Sequence, residues 1–312
     1  MRPSEFARLG DGLINSSRMK NGKHRHVPGH AALIVGAKEP LSAILRRMFD
    51  RAGWRVECVL TNVSAIAAAE ARPFDIVITS EETTGEEDIR LLRHLRQARP
   101  HLKMIILTSQ ATREEVLAAV REHAFFYFSE PFSIDELSEA VENAIRSPAW
   151  DDGIELVGAN REWIRLFARC DIGTANRLVR FLSEVEEDLP EEERQAVAMA
   201  FRELLLNAME HGGNFNPKEF VEISYLRSRR AVSCRLKDPG KGFSLRYVRH
   251  AAIANPPEDP LRHLAHRAAK NMRPGGYGVL LAHQLVDELI YSERGNEVVL
   301  IKYLDTKRPA LT

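Results

Sequence analysis

The sequence of 312 residues has little cysteine. Its three, Cys58, Cys170 and Cys234, lie far apart and form no CxxC pair, which argues against a disulfide framework or a structural zinc site and for a reducing, cytoplasmic setting. Long apolar runs are also missing. Stretches such as 276–281 are far too short to span a bilayer, and the first residues lack the continuous apolar core of a signal peptide, so no membrane role is expected. Nor is there a net charge: 44 Lys and Arg balance 44 Asp and Glu. Without a basic excess, a recognition-helix pattern or a basic face, nothing points to direct nucleic-acid binding.

What is present is 44% hydrophobic content, enough for two cores at roughly 100–200 residues per domain. Residues 1–30 carry 6 basic and 2 acidic residues without sustained periodicity and read as a disordered basic arm. Its His24, His26 and His30 are read as solvated, since no acidic or Cys partner accompanies them to make a metal site.

From residue 31 strand and helix alternate. Short apolar runs at 32–35, 56–60, 75–79, 103–108 and 125–128 predict strands, and helical patterns fill 41–52, 63–71, 89–99, 113–123 and 134–145. Parallel strands need crossover helices, so five such units predict a doubly wound α/β domain over 31–148, with Ser147-Pro148 as its boundary. Residues 149–312 follow another grammar. Strands at 154–157 and 163–169 precede two long helices at about 173–187 and 190–211. A hairpin of 219–226 and 231–237, a loop-rich stretch 250–274, a helix at 278–286 and strands at 289–292 and 298–303 complete an α+β layer.

In the first domain the Leu-Ile-Val run at 33–35, Asp75-Ile-Val-Ile-Thr79, Ile106-Leu-Thr-Ser109 and Tyr127-Phe-Ser-Glu-Pro-Phe132 resemble a response-regulator receiver, a flavodoxin-like five-strand fold. The resemblance implies phosphoryl chemistry at the carboxyl ends of the strands, from an acid pair on Mg²⁺, an acceptor Asp and a charge-neutralising Lys. This chain departs at each of those positions. Gly36 and Ala37 replace the acid pair, Ser80 the acceptor and Glu130 the Lys, with only Thr108 retained. A serine forms no acyl phosphate, so a pseudo-receiver without aspartyl phosphorylation is expected. Lys38 could pair with Glu130 across the same rim, the alternative being two solvated side chains. Asp75 opens its strand and reads as a structural residue.

The second domain carries three motifs. In Glu203-Leu-Leu-Leu-Asn207-Ala-Met-Glu-His211-Gly212, a helix places Glu203, Asn207 and His211 on one face, where a carboxylate and a carboxamide can orient a hydroxyl and ligate hydrated Mg²⁺. In Asp238-Pro-Gly240-Lys-Gly242, after a strand, the glycines admit a flat ring and the acid accepts from an exocyclic amine. Gly275-Gly276-Tyr277-Gly278, opening a helix, offers free N–H groups to phosphate. Alone, each motif is also compatible with a polar helix stripe, a strand-ending turn or a helix-entry loop.

In this order the three resemble the N, G1 and G2 boxes of the GHKL ATPase superfamily, implying a Bergerat α/β sandwich that binds ATP with Mg²⁺. By that resemblance Asn207 holds Mg²⁺, Glu203 is the base or a polarising acid, and His211 belongs to the nucleotide site. Asp238 binds adenine, Gly240 and Gly242 line the base, Gly275, Gly276 and Gly278 meet the phosphates, and 250–274 forms a lid. Residues 151–190 contain no histidine, which disfavours a histidine kinase. The compact layout most resembles the anti-sigma serine kinases, whose implied partners are an anti-anti-sigma-like protein and a sigma factor, with a homodimer as the implied assembly. The competing reading is an ATP-gated binding protein that sequesters a sigma factor or adaptor without phosphorylating it.

Overall fold

The computed structural model describes residues 29–80, 82–147, 151–242, 252, 255, 256, 258, 259, 261–269 and 276–304; His24 and His26 of the arm lie outside them. The first half contains β1 (Ala31–Val35), α1 (Leu41–Arg51), β2 (Arg55–Val59), α2 (Asn62–Ala71), β3 (Ile76–Ile78), α3 (Gly85–Ala98), β4 (Lys103–Thr108), α4 (Arg113–Arg121), β5 (Phe126–Ser129) and α5 (Ile134–Arg146). The strands pair in parallel in the order β2-β1-β3-β4-β5, the doubly wound sheet expected from the sequence. β1, β3, β4 and β5 are buried throughout, because helices cover both faces of a parallel sheet. Helix starts are set by local chemistry. The Thr84 hydroxyl accepts from Glu87 N at 3.3 Å to cap α3, and Thr112 with Glu115 forms a reciprocal capping box on α4. Asp75 accepts from Ala31 N at 2.8 Å and fastens a strand start, as its position implied.

The second half runs β6 (Ile154–Ala159), β7 (Trp163–Arg169), α6 (Ile172–Val185), α7 (Glu191–Asn207), β8 (Phe220–Arg227), β9 (Ala231–Lys237), α8 (Arg262–Ala269), α9 (Gly278–Leu285), β10 (Glu288–Tyr291) and β11 (Glu297–Tyr303). Its antiparallel sheet has the order β10-β11-β9-β8-β7-β6. Alternation of buried and exposed residues along β7, β8 and β9 leaves one face for α6, α7 and α9. Two details differ from the sequence reading. The stretch expected to be loop contains α8. The helix expected to reach residue 211 ends at Asn207 and continues as a π turn, Ala208–Gly212, marked by Gly213 N bonding Ala208 O at 3.0 Å.

The halves are not separately packed. α6 lies against β5 and α4 of the first sheet, and one apolar cluster runs from Leu33, Val77 and Tyr127 to Leu178, Phe201 and Leu300.

Candidate nucleotide site

The first sheet's carboxyl rim holds the degenerate receiver positions. Gly36 adopts φ +74, and a Cβ on it would come within 2.9 Å of Ser80 Oγ. Ser80 is fully buried, with its hydroxyl accepting from Glu82 N at 3.3 Å. Thr108 is buried and donates to Gln110 O at 2.9 Å. Ala37 is half-buried and Glu130 exposed, with Glu130 N bonded to Thr108 O at 3.0 Å. The structure corrects the suggested Lys38–Glu130 pair: Lys38 Nζ lies 2.7 Å from Glu82. Glu82, on the loop after β3, offers the nearer carboxylate. The rim therefore sets a glycine, buried hydroxyls and one exposed ion pair where metal-dependent phosphoryl chemistry needs clustered acids.

In the second half the three motifs converge. Glu203 and Asn207 lie one turn apart on α7. A Cβ on Gly278, the first residue of α9, would stand 2.6 Å from Glu203 Oε2 and 3.6 Å from Asn207 Nδ2. Glycine is therefore what lets the N-terminus of α9 approach this pair. Asn207 Nδ2 is buried and has no hydrogen-bond partner, an uncompensated donor in a polar recess. Gly276 has φ +94 and its carbonyl accepts from Ala252 N at 2.8 Å. Gly275 lies outside the described residues.

Asp238 directly follows β9, beside the end of the π turn that continues α7. Gly240 N donates to its Oδ1 at 2.7 Å, and its carboxyl is held above the ordinary range by partial burial, against the lowering effect of the Gly240 N–H. A Cβ on Gly212 would overlap that carboxyl, and one on Gly240 would come within 2.9 Å of Gly212 Cα. The end of the π turn and the Asp238 loop thus touch through two glycines. Gly242, at φ +83, is pressed against the Arg294 carbonyl, so it fits the turn between β10 and β11 rather than facing Asp238. That turn adds Asn296, which is buried, accepts from Asp238 N at 2.9 Å and donates through Nδ2 to Asp238 O at 3.4 Å.

His211 falls within the π turn, so it does not follow Asn207 at regular α-helical spacing. The π turn widens the helix beyond Asn207, His211 is exposed, and Gly212 abuts Asp238. Sequence reasoning gave Gly212 and Asn296 no role. Only the chain reversals that bring residues 212, 240 and 296 to Asp238 reveal one.

The donors fit the expected ligands. The Asn207 carboxamide oxygen is a hard donor suited to Mg²⁺, and its orphaned NH2 calls for an acceptor such as a phosphate oxygen. Glycine-lined backbone at the start of α9 suits phosphate oxygens. Among the described residues no group of three or more His, Cys, Asp and Glu could hold a metal unaided. No helix there is long and apolar enough to cross a membrane.

Comparison with known proteins matches the two halves of the chain to separate family models. Residues 32–142 match the family model of the response regulator receiver domain, and residues 169–302 that of the histidine kinase-like ATPase domain. Among curated relatives, the DNA-binding transcriptional regulator NtrC of Salmonella typhimurium is 28% identical over 112 residues, covering 36% of this chain and 24% of NtrC. NtrC of Rhizobium meliloti is 26% identical over 153 residues, covering 45% and 32%. The transcriptional regulatory protein TcrA of Mycobacterium tuberculosis is 26% identical over 111 residues, covering 36% and 44%. The chain thus spans about a quarter of the length of the first of these relatives. Among solved structures, a receiver domain protein from Clostridium thermocellum matches 37% of this chain and 94% of its own at 23% identity, with a TM-score of 0.33. The HemR receiver domain of Leptospira biflexa matches 38% and 95% at 23% identity and 0.34. The chain carries a response regulator receiver domain followed by a histidine kinase-like ATPase domain.

Proposed function

We propose that this protein is an ATP-dependent serine/threonine kinase of the anti-sigma type, acting on an anti-anti-sigma-like protein, with the receiver as a regulatory or docking domain that is not itself phosphorylated. The observation that carries the reading is the convergence of Glu203, the orphaned Asn207 amide and Gly278, with Gly212 at the end of the same helix against Asp238. Asp238 keeps Oδ2 for the adenine amino group while Oδ1 holds Gly240 N. Gly276 and Gly278 bring backbone to the phosphates. Asn207 would hold Mg²⁺, which when bound neutralises charge on the phosphate oxygens. Glu203 takes the proton of the attacking Ser or Thr hydroxyl as its oxygen bonds to the γ-phosphorus, and the bond to the bridging oxygen breaks to leave ADP. Catalysis of this kind rests on positioning and charge neutralisation.

Incubating the full chain with labelled ATP and a candidate partner tests it. Asn207→Ala is expected to abolish Mg-ATP binding, whereas Glu203→Ala is expected to keep binding and lose transfer by about 10²-fold or more. Transfer by Glu203→Ala at the parental rate would remove the base assignment. ATP-dependent capture of the partner without any phosphate on it would instead establish the gated binder.

A further inference from the structure

Between the two halves lies a cleft of about 290 Å³. Its floor is Phe126 and Phe128 of β5. One wall is α5, with Glu136 and Glu139, and the other is α6 with Arg180, closed at one end by Arg202 of α7. The cleft therefore touches the receiver on one side and, through α7, the helix of the nucleotide site on the other. Its two cations are held very differently. Arg180 is fixed: its guanidinium lies 4.3 Å over the Phe128 ring and pairs with Glu136 at 3.0 Å and Glu184 at 2.6 Å. Arg202 is half-exposed, and its ion pair, Nη1 to Oε1 at 3.3 Å, is with Glu203. Glu139, exposed on the opposite wall, forms no ion pair among the described residues.

We propose that Arg202 is a positioning residue that the receiver's Glu139 and the carboxylate of Glu203 share across this cleft, and that it restrains Glu203 while paired with it. The inference rests on the reading of Glu203 as base. A base needs a free lone pair towards the hydroxyl or water it deprotonates. Here Arg202 ties Oε1 of Glu203 and so fixes the direction in which the carboxylate faces, while Oε2 lies against Gly278. Swinging Arg202 to Glu139 exchanges one carboxylate partner for another at a partly exposed site, where either pair is weak and readily broken. The receiver needs no phosphoryl chemistry to act in this way. It needs only to move α5 towards or away from α7.

The test uses the full chain, with magnesium-dependent phosphate release from ATP and ATP affinity measured separately. Arg202→Ala is expected to raise turnover roughly two- to fivefold, the scale of one exposed ion pair, at unchanged ATP affinity. Glu139→Gln is expected to lower turnover by a similar factor, because Arg202 then stays on Glu203. The double variant is expected to match Arg202→Ala, since Glu139 acts only through that arginine. Arg202→Lys, which keeps charge and stem, is expected to remain near the parent and guards against a folding artefact. Equal turnover of Arg202→Ala and parent, or phosphate release by neither, overturns the proposal, as does a double variant that behaves like Glu139→Gln. Failure of the parent to bind Mg-ATP would be a failure of the nucleotide-site reading itself.

Discussion

Asp88 lies fully buried in the first turn of α3, where Asn62 Nδ2 at 2.9 Å and the Thr83 hydroxyl at 2.8 Å donate to its two oxygens. Burial outweighs those donors and raises its pKa from 3.8 to about 6. The folded chain thus binds this proton more tightly than the unfolded one, and the stability this group contributes falls as pH rises from about 4 through about 6. In Asp88→Asn the carboxamide oxygen can still accept from Asn62 while its NH2 donates to the Thr83 hydroxyl, which keeps its bond to Ser80 O, all without a charge. The variant is expected to exceed the parent at pH 7.5 by on the order of 2 kcal/mol and to lose that advantage at pH 4, by denaturant titration. Equal stability at both pH values would show that the carboxyl is solvated. Gly278 makes the corresponding case in the nucleotide site. Gly278→Ala would set a methyl 2.6 Å from Glu203 Oε2. Mg-ATP affinity measured by calorimetry is expected to fall about tenfold or more, equivalent to about 1.4 kcal/mol, with little change in melting temperature.

At the scale of elements, α6 bridges the two sheets. β5 is an edge strand of the first sheet, and an uncovered edge invites unwanted pairing. Arg177, Arg180 and Glu184 recur at helical spacing on α6 and meet β5. Arg177 lies 4.5 Å over the Phe125 ring and Arg180 over Phe128, while Glu184 accepts from Ser129 N at 3.1 Å and from its hydroxyl. Beside them Glu186, almost fully buried, accepts from Arg113 of α4 at 2.9 Å, from the Tyr225 hydroxyl and from Arg227. Removing one member of such a buried cluster strands the others. Glu186→Ala is therefore expected to cost about 3 kcal/mol in denaturant unfolding. An effect below about 0.5 kcal/mol would mean that the cluster is hydrated. The apolar spacing of α6 was legible in the sequence, but its charged face was not distinguishable from a solvated one. Glu184 and Arg177 have their partners 55 and 25 residues away.

For the whole molecule, the apolar cluster shared by both sheets makes the receiver part of the ATPase domain's environment. A segment starting at residue 151 would leave the α6 contacts with β5 and α4 uncovered. It is expected to melt at least about 5 °C below the full chain, by calorimetry. Legible in the order of residues alone were the five parallel βα units, the antiparallel layer after them, the loss of receiver acids at Gly36, Ala37 and Ser80, and the Glu203–Asn207 spacing. These follow from local periodicity and from which side chains carry charge, both readable without knowing what lies nearby. Folding in three dimensions alone makes Lys38 pair with Glu82, brings Gly212 and Asn296 to Asp238, and seals the receiver's edge with α6. Each depends on how a π turn, a hairpin and a helix are carried through space, and a contact between distant residues leaves no mark in the spacing of either.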